Sequence, residues 1–428
     1  VSLSVTPSRQ SYQVDRIELE NGMVVLVVEN FAADIISGRI FVKAGSRRES
    51  REKAGLANLV ASVLTKGTER LSSLEIAEKV ESVGASLGAD AASDYFLVSL
   101  KTVSADFSDI LGLAAELLRS PAFEPAQVEL ERRLALQAIR SQQEQPFALA
   151  LEGLRQSMYQ QHPYAYSGLG SLSTVSQLQV EDLQAFHSTY FRPDNIVISL
   201  SGRIATPDAI ALIKETFGDW QPPATPLPAS PVVTVPPISG VTISPQETQQ
   251  AIVMLGYLAA SVQSEDYAAL KLLNTYLGNG LSSRLFVELR EKRGLAYDVS
   301  SFYPTRSETS QFVLYMGTAP TNTTVALEGL QQEAERLCTT RLTPEALQAS
   351  KNKLLGQYAL GKQTNAQIAQ VLGWYETIGL GIDFDTQFQV DVSNVTVPIA
   401  QAIAQKYFTN PYISLVGPAE VVNPFVEE

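Results

Sequence analysis

Apolar and polar positions divide the chain into two successive runs of strands and helices. In the first, residues 16–30 (RIELENGMVVLVVEN) place two β-rich stretches around Asn21-Gly22, a dipeptide suited to a hairpin reversal. Residues 34–45 (DIISGRIFVKAG) read as a further strand rich in β-branched side chains. Helical spacing of apolar residues then predicts helices over about Gly55 to Leu64, Ser73 to Val83, Ser104 to Arg119 and Pro125 to Gln143, with Ser104 and Asp106 as candidate caps of the third. One strand, within residues 87–103, is expected between the second and third helices. The second run repeats the mixture: a strand in 250–260, helices in 266–278 and 282–293, strands in 295–305 and 311–319, then long helices to Ile382.

Between the runs lies QPPATPLPASPVVTVPPISG, residues 221–240, with seven prolines. Proline removes backbone donors and favours extended chain, so this segment reads as a linker between an N-terminal domain, 1–220, and a C-terminal domain, 241–428. The flanking halves share a pattern. Residues 183–202 (LQAFHSTYFRPDNIVISLSG) and 399–417 (IAQAIAQKYFTNPYISLVG) each give a helical stretch, Tyr-Phe, a proline turn and a short strand ending in glycine, which implies a duplicated unit. The expected fold class is α+β, two tandem units in which helices pack on one face of a largely antiparallel sheet.

With 428 residues, 45% hydrophobic and 18% charged, the chain can bury sizeable cores. A net charge of −13 argues against nucleic acid and anionic lipid as partners and suits basic or extended peptides. No apolar run is long enough for a membrane span. The first residues show no charged segment followed by an apolar one, and the chain begins without Met. A soluble, cytoplasmic protein is expected, periplasmic or organellar if a leader was removed. A single cysteine, Cys338, excludes an internal disulfide. Two histidines, His162 and His187, leave little from which to build a zinc site, and both read as structural.

Residues 55–68, GLANLVASVLTKGT, have the frame of an inverted zinc-peptidase helix, with glycine before it and Lys-Gly-Thr after it. An H-x-x-E-H helix works because residues four apart share a face, so two imidazoles hold Zn²⁺ while a Glu on that face deprotonates bound water. Here the frame encloses Asn58-Leu59-Val60-Ala61-Ser62. Together with GSRRES (45–50), HPYAYSG (162–168) and RPDNIVISLSG (192–202), it resembles the pitrilysin and mitochondrial processing peptidase family along nearly the whole chain. The resemblance implies a pair of LuxS/MPP-like domains. It also implies a third ligand from a helix similar to residues 131–139; Glu131 of that helix is present, but the ligand position reads Ala138. Asn58, Ala61, Ser62 and Ala138 thus stand where two histidines, the base and a glutamate are expected, and no metal is expected in this chain.

The second half keeps what the first has lost. In LSSRLFVELREKRGLAYDVSSFY (281–303) a helix should end near Lys292 or Arg293, with Gly294 left-handed and a strand from Leu295. Arg290 and Tyr297 then flank one turn. Their spacing is similar to that of the Arg and Tyr which, in the resembled family, reach toward the zinc site, where guanidinium and phenol donors suit a substrate carbonyl and its oxyanion. Competing readings are a solvated Arg290 paired with Glu288 or Glu291 and a Tyr297 that covers the sheet. The mitochondrial zinc-free subunit has a glycine-rich loop where this chain offers only Leu277-Gly278-Asn279-Gly280-Leu281, which reads as a turn. The family also binds extended peptide at a sheet edge resembling residues 84–96, which makes Gly88, Ala89 and Ala91 candidate substrate contacts.

The resemblance therefore implies a zinc-free subunit of a two-subunit metalloendopeptidase, lending Arg290 and Tyr297 to a homologous partner that carries zinc and acts on peptides or unfolded segments. A structural core-type subunit of a larger complex and a homodimeric peptide-binding protein stay open.

Overall fold

The computed structural model describes residues 12–229, 233–236 and 238–426. The leader reading falls almost wholly outside them, as do residues 230–232 and 237 of the proline-rich segment. Two compact units result: one of Val1–Ile139, Ser167–Pro231 and Ala359–Asp385, the other of Arg140–Tyr166, Val232–Tyr358 and Thr386–Glu428. These units do not coincide with the linear halves 1–220 and 241–428, since each takes in a helical segment from the other half.

In the first unit β1 (Asp15–Glu18), β2 (Val24–Glu29), β3 (Ile36–Val42), β4 (Ser86–Ala91), β5 (Phe96–Thr102) and β6 (Ile196–Gly202) form one sheet in the order β1-β2-β6-β3-β5-β4, antiparallel except between β2 and β6. Gly22 reverses the β1–β2 hairpin at φ 84°, and Asn21 pins the turn by donating to the Phe217 and Trp220 carbonyls at 2.9 and 3.1 Å. The stretch expected as one strand is a hairpin. Ser93-Asp94 reverses it, with the Ala92 amide donating to Tyr95 O at 2.8 Å, because this small polar pair follows the last residue that packs on the core.

The helices are α1 (Leu56–Leu64), α2 (Ser73–Glu81), α3 (Phe107–Arg119), α4 (Pro125–Gln143), α5 (Pro146–Tyr159), α6 (Leu172–Gln177), α7 (Val180–Tyr190) and α8 (Thr206–Phe217). Neither expected cap of α3 forms: Ser104 and Asp106 sit in a 3-10 turn, and the Ser104 hydroxyl donates to Arg203 O at 3.2 Å instead. Helices α1, α3, α7 and α8 cover one face of the sheet through Val25, Val27, Ile40 and Ile198.

The second unit repeats the plan with β7 (Gly240–Pro245), β8 (Ala251–Ala259), β9 (Ala296–Phe302), β10 (Ser310–Thr318) and β11 (Tyr412–Gly417) in the order β7-β11-β8-β10-β9. Only β7 and β11 run parallel. This order is that of β2-β6-β3-β5-β4, so the duplication read in the sequence is a duplication of sheet topology. The later part of the chain adds α9 (Tyr267–Gly278), α10 (Thr323–Thr339), α11 (Pro344–Leu360), α13 (Phe384–Asn394) and α14 (Val397–Tyr407), and also α12 (Asn365–Thr377), which belongs to the first unit, as α5 belongs to the second.

Each sheet also has a helix on its opposite face, a feature absent from the sequence expectation. On the first sheet it is α12, whose Ile368 and Leu372 meet Val24, Leu26, Phe41 and Val197. On the second it is α5, whose Ala150, Leu154 and Met158 meet Ile252, Met254, Val313 and Val416. Burial on both faces explains why β2 reads VVLVV without alternation. Each of these helices seats through a glycine. A Cβ at Gly373 would lie 2.5 Å from Phe41 Cε2 and 2.8 Å from Ser199 Cβ, and one at Gly153 would lie 2.9 Å from Thr242 Cγ2 and 3.3 Å from Ser414 Oγ. Ser199 and Ser414 occupy matched positions, counted back from the strand-ending Gly202 and Gly417.

Gly373→Ala is therefore expected to destabilise the chain by about 1–3 kcal/mol, the range for overpacking. Gly112→Ala, mid-helix on α3 with open space around its Cβ, is expected to stabilise it by up to about 1 kcal/mol. Differential scanning calorimetry of both variants checks the contrast.

Candidate functional site

Helix α1 is built as the sequence frame requires. Gly55 enters it at φ 97°, and a Cβ there would press on Leu169 O at 2.6 Å. The Glu49 carboxylate accepts from the Gly55 amide at 2.9 Å and the Ala57 amide at 2.5 Å, an acid bound to the helix N-terminus from upstream. Desolvation pushes Glu49 up to about 8, against the two amide bonds, which lower it. Beyond the helix, Lys66 reaches Glu131 on α4 at 3.2 Å, and Glu131 is buried. Sequence reading missed Glu49; the signal was a lone acid in GSRRES just before a helix that lacks a Ser, Thr, Asp or Asn cap.

What this frame holds is not a metal site. Asn58 and Ser62 share a half-buried face of α1, and the Ser62 hydroxyl is spent on Asn58 O at 3.1 Å. Ala61 is buried and Ala138 is exposed on α4. A carboxamide, a hydroxyl and two methyl groups do not fit Zn²⁺, which takes imidazole, thiolate or carboxylate. Among the described residues no three His, Cys, Asp or Glu side chains gather as metal ligands. His162 is buried, its Nδ1 accepting from the Tyr164 amide at 3.1 Å and its Nε2 lying 2.6 Å from Glu308. The His187 Nε2 lies 2.8 Å from Leu118 O, and burial pushes this imidazole down to about 4.

Strand β4 carries Gly88, Ala89 and Ala91. It is the outermost strand of its sheet, paired only with β5, and α1 packs beside it. The structure thus puts the stripped motif and the candidate edge in one neighbourhood. Ala89 and Ala91 pack toward the core, and a Cβ on Gly88 would meet only Ser99 Oγ, at 3.9 Å. As the outermost strand, β4 has one side that pairs with no other strand among the described residues.

In the second unit the segment expected as an ordinary helix is π-helical over Phe286–Lys292. Leu285 and Leu289 are buried, and Arg284 forks onto Glu333 of α10 at 2.7 and 3.2 Å. So anchored, the turn leaves Arg290 exposed, its guanidinium 5.0 Å over the Phe286 ring. The pairing of Arg290 with Glu288 does not form, since Glu288 is held by Arg284 at 2.8 Å and Lys292 at 2.7 Å. Gly294 has φ 65°, as expected. Tyr297 is 56% exposed on the edge strand β9 and does not cover the sheet. Ala296 pairs with Thr318 and Asp298 with Gly317, so Tyr297 is the extra residue of a β-bulge. A π-turn and a bulge, two irregularities common at functional sites, thus present the two candidate side chains on either side of one reversal. In the 277–281 turn, Gly280 has φ 77°, and Gly278 is forced by Ser301 N, which a Cβ would meet at 2.0 Å.

Residues 24–171 match the family described as insulinase (peptidase family M16), and residues 177–354 match the peptidase M16 inactive domain. The chain is 24% identical over 416 residues to an uncharacterized zinc protease, YmxG, of Bacillus subtilis, covering 95% of this chain and 98% of the relative. It is 26% identical to an uncharacterized zinc protease of Mycobacterium leprae, covering 96% and 93%. Among solved structures, the peptidase M16 inactive domain from Pseudomonas fluorescens superposes with a TM-score of 0.88 at 27% identity, covering 95% and 98%. A protease from Helicobacter pylori superposes at 0.89 and 23%, covering 95% and 100%, a likeness of fold. No helix among the described residues is long and apolar enough to cross a membrane.

With a folded-state pKa raised above its unfolded value, Glu49 contributes stability that is present below about pH 4.5 and is lost as pH rises through about 8. Glu49→Gln is expected to lack that part of the decline between pH 5 and 8, read as the difference between the two melting profiles.

Proposed function

Because the chain belongs to the M16 peptidase family, we propose that it is a zinc-free subunit of a two-subunit metalloendopeptidase. The observation that carries this reading is the contrast between the two units. One keeps the helix, its acid brace and its Lys66–Glu131 pair around positions that bind no metal. The other presents Arg290 and Tyr297 to solvent with no carboxylate bound to the guanidinium among the described residues.

The partner is a homologous chain with its motif intact, which supplies zinc and the general base; bound zinc polarises a carbonyl and activates water. From this chain Arg290 offers fixed N–H donors to a substrate carbonyl, and Tyr297 offers an O–H to the oxygen on which charge develops. The open edge of β4, with Gly88, Ala89 and Ala91, is proposed to receive an extended peptide main chain.

The purified chain alone is expected to hold no stoichiometric zinc by elemental analysis and to leave peptides uncut. Mixed with a motif-bearing M16 homologue from the same source, it should restore chelator-sensitive cleavage. Arg290→Ala is then expected to lower kcat/KM by roughly 10²–10³, the loss typical of one oxyanion donor, and Tyr297→Phe by a similar or smaller factor. Undiminished cleavage by both variants would remove their assigned roles, and chelator-sensitive cleavage by the lone chain would remove the subunit reading.

A further inference from the structure

The second unit contains a cavity of about 170 Å³ walled by α9, α10 and the start of α11. Three arginines line it, Arg284, Arg336 and Arg341, together with Tyr276, Glu333, Thr340 and Thr343. The acid is already committed. Glu333 is 4% exposed and takes both Nε and Nη2 of Arg284, whose Nη1 goes to Glu288 at 2.8 Å. This pair forms a fixed, neutralised floor.

The remaining polar side chains are two guanidinium groups and three hydroxyls, those of Tyr276, Thr340 and Thr343, the last already accepting from the Ala346 amide at 3.2 Å. Arg336 has no hydrogen bond or ion pair from its side chain among the described residues, and Arg341 uses only Nε, on Gln401 at 3.1 Å. The Tyr276 hydroxyl likewise has no hydrogen bond among them. Burial raises the Tyr276 phenol; the charges of Arg284 and Arg336 act to lower it, and those of Glu333 and Glu288 to raise it.

In a chain of net charge −13, a pocket with two guanidinium groups uncommitted to any carboxylate among the described residues, and no uncommitted carboxylate in its lining, favours an anion. The cavity is large enough to hold a tetrahedral oxyanion together with solvent. We propose that this pocket binds a phosphoryl group, with Arg336 and Arg341 donating to its oxygens and Tyr276 adding a third donor. Arginine's planar fork suits two phosphoryl oxygens at once. Neither Arg290 nor Tyr297 takes part, so the site stands apart from the proposed peptidase role.

The test is isothermal titration calorimetry of the full chain with inorganic phosphate and with O-phosphoserine, at ionic strength held constant with chloride. Saturable binding near one equivalent is expected, weakened about tenfold or more in Arg336→Met/Arg341→Met and less in Tyr276→Phe, as loss of charge-assisted and neutral donors dictates. Both arginines are exposed, so melting temperatures should stay unchanged; Arg336→Lys, which keeps the charge, should bind with intermediate affinity. Tighter binding of phosphoserine assigns the group to a modified polypeptide, and equal binding assigns it to free phosphate; either supports the site. No saturable binding, undiminished binding by the double variant, or equal binding of acetate would overturn it.

Discussion

Two glycines, Gly153 on α5 and Gly373 on α12, let helix backbones lie directly on sheets, and the rest of the architecture depends on that approach. Each faces a serine in the strand that makes the parallel junction of its sheet, Ser414 on β11 and Ser199 on β6. The serine hydroxyls have no hydrogen-bond partner among the described residues, a desolvation cost accepted for close contact. Around this contact the opposite faces of both sheets become core, sealed by Ile368 and Leu372 in one unit and Leu154 and Met158 in the other. Since each helix is donated by the other half of the chain, neither half buries both faces of its own sheet.

A sheet covered on both sides supports a helix such as α1 without a metal. Leu59, Val60 and Leu64 are inaccessible to solvent, so the segment that frames H-x-x-E-H in the zinc-bearing pattern is held here by apolar packing. Glu49 satisfies two amides at its start and Lys66–Glu131 ties its far end to α4, so the polar work around it is done locally. The side chains of Asn58, Ala61, Ser62 and Ala138 are poor metal ligands, and the scaffold around them stands on packing and these local polar contacts.

The second unit spends its irregular geometry elsewhere. A π-turn anchored by Arg284–Glu333 and a bulge at Tyr297 are its departures from regular structure around the two candidate side chains. The same Arg284–Glu333 pair forms the floor of the neighbouring cationic pocket, so one buried ion pair organises two surfaces of this unit, one beside Arg290 and one beside Arg336.

The hairpin at Asn21-Gly22, the left-handed Gly294 and the duplication were legible in the sequence, because each rests on local chemistry: a turn dipeptide, a glycine after a helix, a matched pattern. The β4–β5 reversal and the failed caps of α3 were not, since Ser93-Asp94 and Ser104 have no local mark that tells a turn from a strand or a cap from a loop contact. The run VVLVV in β2 did carry a sign of burial on both faces, but not of what covers them. Only the tertiary structure decided that α5 and α12 trade places, that Tyr297 falls at a bulge and that Tyr276 lines the same cavity as Arg336 and Arg341. Such pairings join residues far apart along the chain, and their energy depends on shape and separation in space, which no window of sequence contains.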